Sequence, residues 1–210
     1  MKTISQLISE GKHLNQELSF HIDNQKKTAR TLCAFANTSG GRLLIGIKDN
    51  GKIVGCNPEE ELNMIHRASS MFCQPEVPFN TKIWQEDFRL ILEIHVPLSE
   101  NAPHKAKDDD DRWNFYIRLN DHSVLVNKIL ERVWTEKKKA ISKPEKFDDD
   151  ELIILKLIND LGEATLSKLY RLSNLPLKKV DKILVMLVCW DSIQICFKKN
   201  EVHYKSKLDI

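Results

Sequence analysis

The sequence of 210 residues has little cysteine, glycine or proline, and it lacks any long apolar run. Its five cysteines are odd in number and widely spread, and no two form a Cys-x-x-Cys pair, which argues against a disulfide framework and a zinc knuckle. No apolar run approaches the ~20 residues that a membrane-spanning helix requires. Polar residues interrupt the start of the chain where a signal peptide needs an apolar core: Ser5, Gln6, Ser9 and Glu10. We therefore expect a cytoplasmic protein with free thiols, neither secreted nor inserted in a membrane.

A large excess of one charge is also lacking, because 32 basic and 30 acidic residues leave a net charge of +2. The distribution is uneven: residues 151–210 contain ten basic and seven acidic residues, and the rest of the chain contains 22 and 23. Residues 136–150 form a polar stretch around Pro144 without a periodic apolar pattern, which is typical of a linker. We therefore expect a domain of residues 1–135, a linker of residues 136–150 and a more basic domain of residues 151–210.

Apolar spacing in the first 135 residues predicts a mixed α/β (α+β) domain, with a mixed sheet and flanking helices. A helical stripe predicts a helix over residues 24–38, and the run RLLIGI at residues 42–47 predicts a strand. The Asn50-Gly51 pair favours a tight hairpin turn, so KIVG at residues 52–55 is the expected partner of that strand. The prediction is completed by a helix after Pro58, strands at 79–85, 88–96 and 113–119, and a closing helix around 129–134.

Residues 151–210 have the element order of a winged helix-turn-helix. Helices are predicted at 151–160, at 165–172 and from Pro176 to about Trp190, followed by strands at 192–197 and 201–206. In that fold the third helix enters a DNA groove, and the hairpin tip contacts phosphates. The alternative is a fold of this type that serves protein contact or dimerisation with ordinary solvated lysines. The expected nucleic-acid contacts are lysines of the third helix and of the hairpin: Lys178, Lys179, Lys182, Lys198 and Lys199.

The segment from Gly46 to Ile53 has the spacing of a phosphate-binding loop but not its chemistry. Ile53 stands where a hydroxyl residue would hold magnesium, and the chain continues as a strand instead of the helix whose free N–H groups would face the anion. The hairpin interpretation explains every residue of the segment. We therefore predict no nucleotide cofactor and no set of metal ligands.

Two acidic residues, Glu17 and Asp49, are candidates for catalysis, because a metal-dependent nuclease needs acidic groups that converge on divalent cations. The sequence alone does not establish that they converge. The run from Asp108 to Asp111 is interpreted as a solvated loop. Basic residues on the 24–38 helix and on a later strand are further candidates for nucleic-acid contact: Lys26, Arg30 and Arg118.

The run CAFANTSGGRLLIGIKDNGKIVG at residues 33–55 resembles the core signature of the Schlafen AlbA_2 family, also called the divergent AAA-4 domain. The resemblance covers about residues 4–135, and its supporting matches are Glu17, Pro103-His104, Tyr116-Ile117-Arg118 and Ser123. It implies an α/β domain with nucleic-acid-binding character. In bacteria, such domains often precede a winged helix in proteins labelled transcriptional regulators.

Schlafen relatives include RNA endonucleases with three carboxylates, two in an E-x-x-x-x-E-F-K-like segment and one in the hairpin. In this sequence the matching positions hold Lys12, Glu17 and Asp49, and Ser19 replaces the lysine. A cation at the place of a metal ligand repels the metal. The expected protein is therefore a non-enzymatic DNA-binding transcriptional regulator, with DNA favoured over RNA and a homodimer as a state that would suit paired half-sites. The alternatives are an RNA endonuclease of the Schlafen type with a degenerate site and a protein assembly module.

Overall fold

The computed structural model of the chain describes residues 2–137, 139, 142–198 and 201–207. The chain divides into two compact units, residues 1–126 and residues 127–210. Among the described residues, no helix is both long and apolar enough to cross a membrane.

The first unit combines helices and strands, which confirms the prediction of a mixed α/β domain. Its helices are α1 (Ile4–Ser9), α2 (Gln25–Thr38) and α3 (Pro58–Phe72). Its strands are β1 (Gln16–Ser19), β2 (Gly41–Ile45), β3 (Cys73–Gln74), β4 (Asn80–Glu86), β5 (Arg89–Val96), β6 (Lys105–Lys107), β7 (Trp113–Leu119) and β8 (His122–Leu125).

These strands form two four-stranded sheets, in the orders β1-β2-β5-β4 and β3-β6-β7-β8. β1 runs parallel to β2, and the other pairs are antiparallel. Helix α2 contacts strands of both sheets, and its apolar stripe, which includes Leu32 and Cys33, is fully buried. Asn24 caps this helix because its side chain accepts a hydrogen bond from the Lys27 N–H at 2.9 Å, which satisfies a free donor of the first turn.

The partner predicted for strand β2 is wrong. Residues 52–55 form no strand, and β2 pairs with β1 and β5 instead. Gly46 and Gly55, with φ angles of +101° and +80°, turn the backbone out of the ladder. The predicted tight turn is present, as a loop closed by a single bridge between Ile47 and Ile53.

Two glycines of the signature segment lie where no side chain fits. A Cβ atom on Gly41 would overlap the Phe35 ring. A Cβ atom on Gly40 would lie 2.8 Å from the Val96 carbonyl oxygen, and the φ of Gly40 is +70°. The close approach of Gly41 to α2 and of Gly40 to the backbone at the end of β5 therefore requires these small residues.

Asn37 of the same segment joins α2 to the second sheet. Its side-chain amide donates hydrogen bonds to the carbonyl oxygens of His104 and Tyr116 at 2.8 and 2.9 Å, and its Oδ1 accepts from the His104 N–H at 2.7 Å. The neighbouring Thr38 hydroxyl accepts a hydrogen bond from the Arg118 backbone N–H at 2.9 Å. The signature thus fixes the position of β7, which carries Arg118.

The second unit contains α4 (Lys128–Lys137), α5 (Asp149–Leu161), β9 (Ala164–Thr165), α6 (Leu166–Ser173), α7 (Leu177–Cys189), β10 (Ile193–Lys198) and β11 (Glu201–Ser206). β10 and β11 form an antiparallel hairpin, and β9 pairs with β11 to give the order β10-β11-β9. Buried side chains from α5, α6, α7 and this sheet form one core, with Leu155, Leu169, Leu184 and Tyr204 among its members.

Helix α4 packs within the second unit. Its buried residues Ile129 and Val133 belong to the core of that unit, and the helix contacts α7. The prediction assigned these residues to the first domain. The boundary between the two compact units lies after residue 126. The division into domains of residues 1–135 and 151–210 with a linker between them stays a prediction.

Candidate nucleic-acid interface

The first unit brings Lys12, Glu17 and Asp49 together. Lys12 follows α1, Glu17 lies on β1, and Asp49 lies in the loop that follows β2. The Lys12 Nζ is 2.9 Å from Glu17 Oε1 and 2.9 Å from Asp49 Oδ1. The two candidate catalytic carboxylates therefore converge, and an ammonium group lies between them.

The second oxygen of Glu17 is held by Arg118, whose side chain is 1% exposed. Arg118 Nη1 donates to Glu17 Oε2 at 3.1 Å and to the Ser123 hydroxyl at 3.2 Å. Its Nη2 and Nε donate to the backbone carbonyls of His13 and Leu14 at 3.1 and 3.4 Å. We predicted Arg118 as a nucleic-acid contact. Its side-chain hydrogen bonds are all made to residues of the first unit, and a structural role accounts for its placement.

We call Lys12, Glu17, Asp49 and Arg118 the carboxylate cluster. Burial acts to lower the pKa of Lys12, but the hydrogen bonds and charges of Glu17 and Asp49 outweigh burial and raise that pKa above its ordinary value. Lys12 is therefore a cation at neutral pH. Two cations face two carboxylates, so the cluster balances its own charge.

A divalent cation does not fit the carboxylate cluster. The Lys12 ammonium occupies the space between the two carboxylates, and a metal ion placed there would meet its positive charge at short range. In the described part of the chain, no three His, Cys, Asp or Glu side chains are grouped so that they could hold a metal. The chemistry that this cluster offers is charge pairing.

The carboxylate cluster lines an open cleft of about 710 Å³, which continues along the start of α2. The volume lies within the range of ligand-binding clefts. Its walls carry charges of both signs, so the cleft has no uniform attraction for a polyanion. The cationic residues that line the cleft are Lys12, Lys27, Arg30 and Arg118, and the anionic residues are Glu17, Asp23, Asp49, Asp109 and Asp121.

The basic residues predicted on α2 are paired with the acidic loop between β6 and β7. Arg30 Nη2 is 2.5 Å from Asp109 Oδ1, and Lys26 Nζ is 3.1 Å from Asp111 Oδ1. Lys26 also donates to the Asp109 carbonyl oxygen at 3.3 Å. We predicted this loop to be solvated, and the carboxylates of Asp109 and Asp111 are indeed about 70% exposed, but they also pair with Arg30 and Lys26.

Two of the lysines predicted in the second unit are paired in the same way. Lys179 forms an ion pair with Asp150, and the hydrogen bond that its ammonium donates to the Asp150 carboxylate raises the pKa of Lys179. Lys198 Nζ is 2.6 Å from Glu163 Oε2, and this hydrogen bond lowers the pKa of Glu163. Lys199 lies outside the described residues.

Lys178 and Lys182 differ from these residues. Both are exposed on the first turns of α7, and neither forms an ion pair with any residue that the structure describes. They are four positions apart and therefore share one face of the helix. Of the predicted basic residues that are described, these two carry the charge that is available to a partner.

Sequence reasoning missed the acidic partners that neutralise the other cations. Asp109 is 79 positions away from Arg30, and no local pattern marks such a pair. Lys12 did have a signal, since it stands at the first position of the E-x-x-x-x-E segment. The other partners that the sequence did not indicate are Asp111, Asp150 and Glu163.

Residues 10–127 match the family described as Schlafen, AlbA_2. No curated protein matches the chain. The family match covers most of the first unit, including the signature segment and every member of the carboxylate cluster.

Two solved structures resemble parts of the chain. The N-terminal domain of a RecG-related protein from Nitrosomonas europaea has 23% identity, covers 52% of this chain and 83% of that chain, and has a TM-score of 0.43. The DIP2311 protein from Corynebacterium diphtheriae has 18% identity and a TM-score of 0.43, and the aligned region covers 81% of this chain and 38% of the DIP2311 chain. Similarity at this level carries no argument about function.

Proposed function

The chain belongs to the Schlafen AlbA_2 family, and we propose that it is a non-catalytic nucleic-acid-binding protein, specifically a DNA-binding transcriptional regulator. The second unit supplies the DNA contact, and the first unit is a charge-balanced platform. One observation carries this proposal: Lys178 and Lys182 are exposed at the start of α7 and form no ion pair with another described residue.

The second unit supports the proposal by its order of elements, which is that of a winged helix-turn-helix. Residues 174–176 join α6 to α7, with Asn174 at a φ of +59° and Pro176 directly before α7. The β10–β11 hairpin follows as the wing. In such a fold the start of the helix after the turn enters the major groove, where Lys178 and Lys182 would meet phosphates.

The contacts proposed here favour affinity over base selection. Lysine contacts a phosphate as a point charge, whereas the commonest specific contact to a base is a bidentate arginine on guanine. No arginine lies on α7. We therefore expect strong dependence on salt and a modest preference between DNA sequences.

The carboxylate cluster supports the absence of a nuclease activity. The family resemblance implies three metal-binding carboxylates for such an activity, and here Lys12 supplies a cation in place of the first. Lys12, Glu17 and Asp49 do not fit a divalent metal ion, so they offer no site for metal-assisted hydrolysis. The Schlafen-type endonuclease therefore has less support than the DNA-binding proposal.

The test measures binding of the full chain to a fluorescent DNA duplex by anisotropy over a range of salt concentrations. For Lys178→Ala/Lys182→Ala, the negative slope of log affinity against log salt should become shallower by about 2, because each phosphate contact contributes about −0.9 to it. At about 0.1 M salt this corresponds to an affinity loss of about 60-fold. An RNA duplex of the same length, measured in parallel, tests the preference for DNA.

The matched control is Lys137→Ala/Lys156→Ala, which removes two exposed cations from α4 and α5 of the same unit. We expect its slope and affinity to stay close to those of the parent chain. Equal losses in both double variants would show a diffuse electrostatic attraction and would contradict the α7 contact. No binding of the parent chain to DNA or RNA at low salt would favour a protein assembly module.

A further inference from the structure

Strand β4 is an exposed edge strand without a bulge or a proline. It lies at the end of the sheet β1-β2-β5-β4, and β5 is its sole strand partner within the described residues. All seven of its residues pair with β5 in continuous register, so the strand has no bulge, and it contains no proline. Its other edge therefore presents a row of backbone donors and acceptors that a further strand could pair with.

The side chains of β4 are also unusually exposed for a strand that contains apolar residues. Ile83, at the centre of the strand, is 58% exposed. Phe88 is 98% exposed in the turn that follows, and Asp87 and Phe88 have φ angles of +44° and +63°. A bulky residue such as Phe88 is strained in the left-handed region of backbone conformation. Because its side chain is almost fully exposed, no packing within the chain offsets this strain.

The sequence of β4 is complementary to itself when two copies run antiparallel. In the register that pairs all seven residues, Ile83 lies opposite Ile83 of the second copy. Lys82 then lies opposite Trp84, Thr81 opposite Gln85, and Asn80 opposite Glu86. No like charges face each other, and the pairing of Lys82 with Trp84 repeats a contact inside the chain, where Lys82 Nζ is 3.3 Å from the Trp84 ring centroid.

The same contact weakens the usual protection of an edge strand. A lysine that extends from an edge strand discourages pairing with another strand. Here the Lys82 ammonium lies over the Trp84 ring on the face of the sheet. Ile83, on the opposite face, is left as an exposed apolar residue at the strand centre.

We propose that β4 is a homodimer interface, in which the β4 strands of two copies pair antiparallel about a two-fold axis at Ile83 and form a continuous eight-stranded sheet. Neighbouring registers are less favourable. An axis at Lys82 places two ammonium groups opposite each other. An axis at Trp84 shortens the ladder, since Asp87 and Phe88 have left the strand conformation. The axis at Ile83 alone combines seven paired residues with complementary side chains.

The first test is the mass of the full chain in solution, measured by light scattering at micromolar concentration. We expect twice the 24.4 kDa of the chain. Ile83→Lys should weaken the dimer about tenfold or more, because two charges replace an apolar contact on the axis. Leu98→Lys is the matched control, since Leu98 is 59% exposed in the same unit but lies outside β4. A monomeric parent chain, or a dimer that Ile83→Lys leaves unchanged, would overturn the proposal.

The second test fixes the register by cysteine cross-linking under mild oxidation. Residues opposite each other in antiparallel strands have Cα atoms about 4.5–5.5 Å apart, which suits a disulfide. Ile83→Cys should therefore form a covalent dimer. Thr81→Cys should not exceed the parent chain, because its two copies would lie about 13 Å apart. Cross-linking through Thr81→Cys and not through Ile83→Cys would overturn the register.

Discussion

The two units carry basic residues of the same chemical kind, but the surroundings of those residues differ. In the first unit, Lys12, Arg118, Lys26 and Arg30 each face a carboxylate of the same unit. In the second unit, Lys178 and Lys182 are exposed without such a partner among the described residues. The comparison shows that counting cations does not locate an interface with a polyanion. We propose that the interface lies at Lys178 and Lys182, which combine the absence of a counter-ion among the described residues with a position at the start of α7.

The largest effect that would sharpen this comparison is expected at Arg118. Arg118→Ala removes a buried cation and leaves Glu17 with only one of its two cationic partners, so the free energy of unfolding should fall by about 3–5 kcal/mol. Denaturant titration measures this loss. Arg112→Ala is the control, because its side chain is 71% exposed and solvent screens its ion pairs, so the loss should be small. Equal losses in the two variants would remove the structural role of Arg118.

The next effect concerns Lys12. Lys12→Glu replaces the central ammonium with a third carboxylate, so the affinity for Mn²⁺ should rise at least about tenfold. Calorimetry measures this change. The control is Lys52→Glu, which makes the same charge change on an exposed residue of the nearby loop. A parent chain that binds Mn²⁺ as tightly as Lys12→Glu would break the argument that Lys12 excludes the metal.

A smaller effect is expected when the acidic loop is neutralised. Asp109→Asn/Asp111→Asn removes the partners of Arg30 and Lys26, and these cations then become available to phosphates. The affinity for DNA should rise by up to about tenfold, with a steeper dependence on salt. Asp149→Asn/Asp160→Asn makes the same charge change in the second unit and serves as the control. A rise confined to the control pair would contradict the role assigned to the loop.

The smallest effect is a dependence of stability on pH. His104 is fully buried, and its ring nitrogens contact the Pro75 carbonyl oxygen at 2.8 Å and the Ser99 hydroxyl at 2.7 Å. Burial lowers the pKa of His104, and the hydrogen bond to Pro75 opposes this only in part. The unfolded chain, with an ordinary histidine pKa of about 6.5, then binds more protons than the folded chain.

The contribution of His104 to the free energy of unfolding should therefore be constant above about pH 6.5. Below that pH the free energy of unfolding should fall until the pH reaches the lowered pKa of His104 in the folded chain. Denaturant titrations between pH 5 and 8 measure this, with ~0.5 unit steps being sufficient to resolve a slope. His104→Gln should flatten the profile. His122→Gln, at an exposed position, should leave it unchanged. A flat profile for the parent chain would show that His104 protonates equally in both states.

Periodic patterns predicted the long elements of this fold. The buried stripe of α2 and the apolar runs of β5 and β7 are strong local signals, and each element was found within a few residues of its prediction. β1, β3, β6, β8 and β9 have two to four residues each, too few for a period to emerge, and were missed. The apolar face of α4 was visible, but periodicity does not tell which unit covers it.

The candidate site divides in the same way. The motif indicated Glu17 and Asp49 as candidates and Lys12 as a cation at the place of a third carboxylate, but only the structure shows that the three side chains meet. The neutralising contacts of Asp109 and Asp111 depend on a loop that folds back from another sheet, which no local pattern encodes. The same limit applies to the lysines of α7. The sequence indicated Lys178, Lys179 and Lys182 in equivalent terms, and only the folded structure separates Lys179, which is paired with Asp150, from the other two.

The most direct test compares the two units in one measurement, the salt dependence of DNA binding by the full chain. Lys178→Ala/Lys182→Ala should make the negative slope of log affinity against log salt shallower by about 2, whereas Lys26→Ala/Arg30→Ala should leave it nearly unchanged. The reverse pattern, with the slope lost in the α2 variant and retained in the α7 variant, would contradict the account.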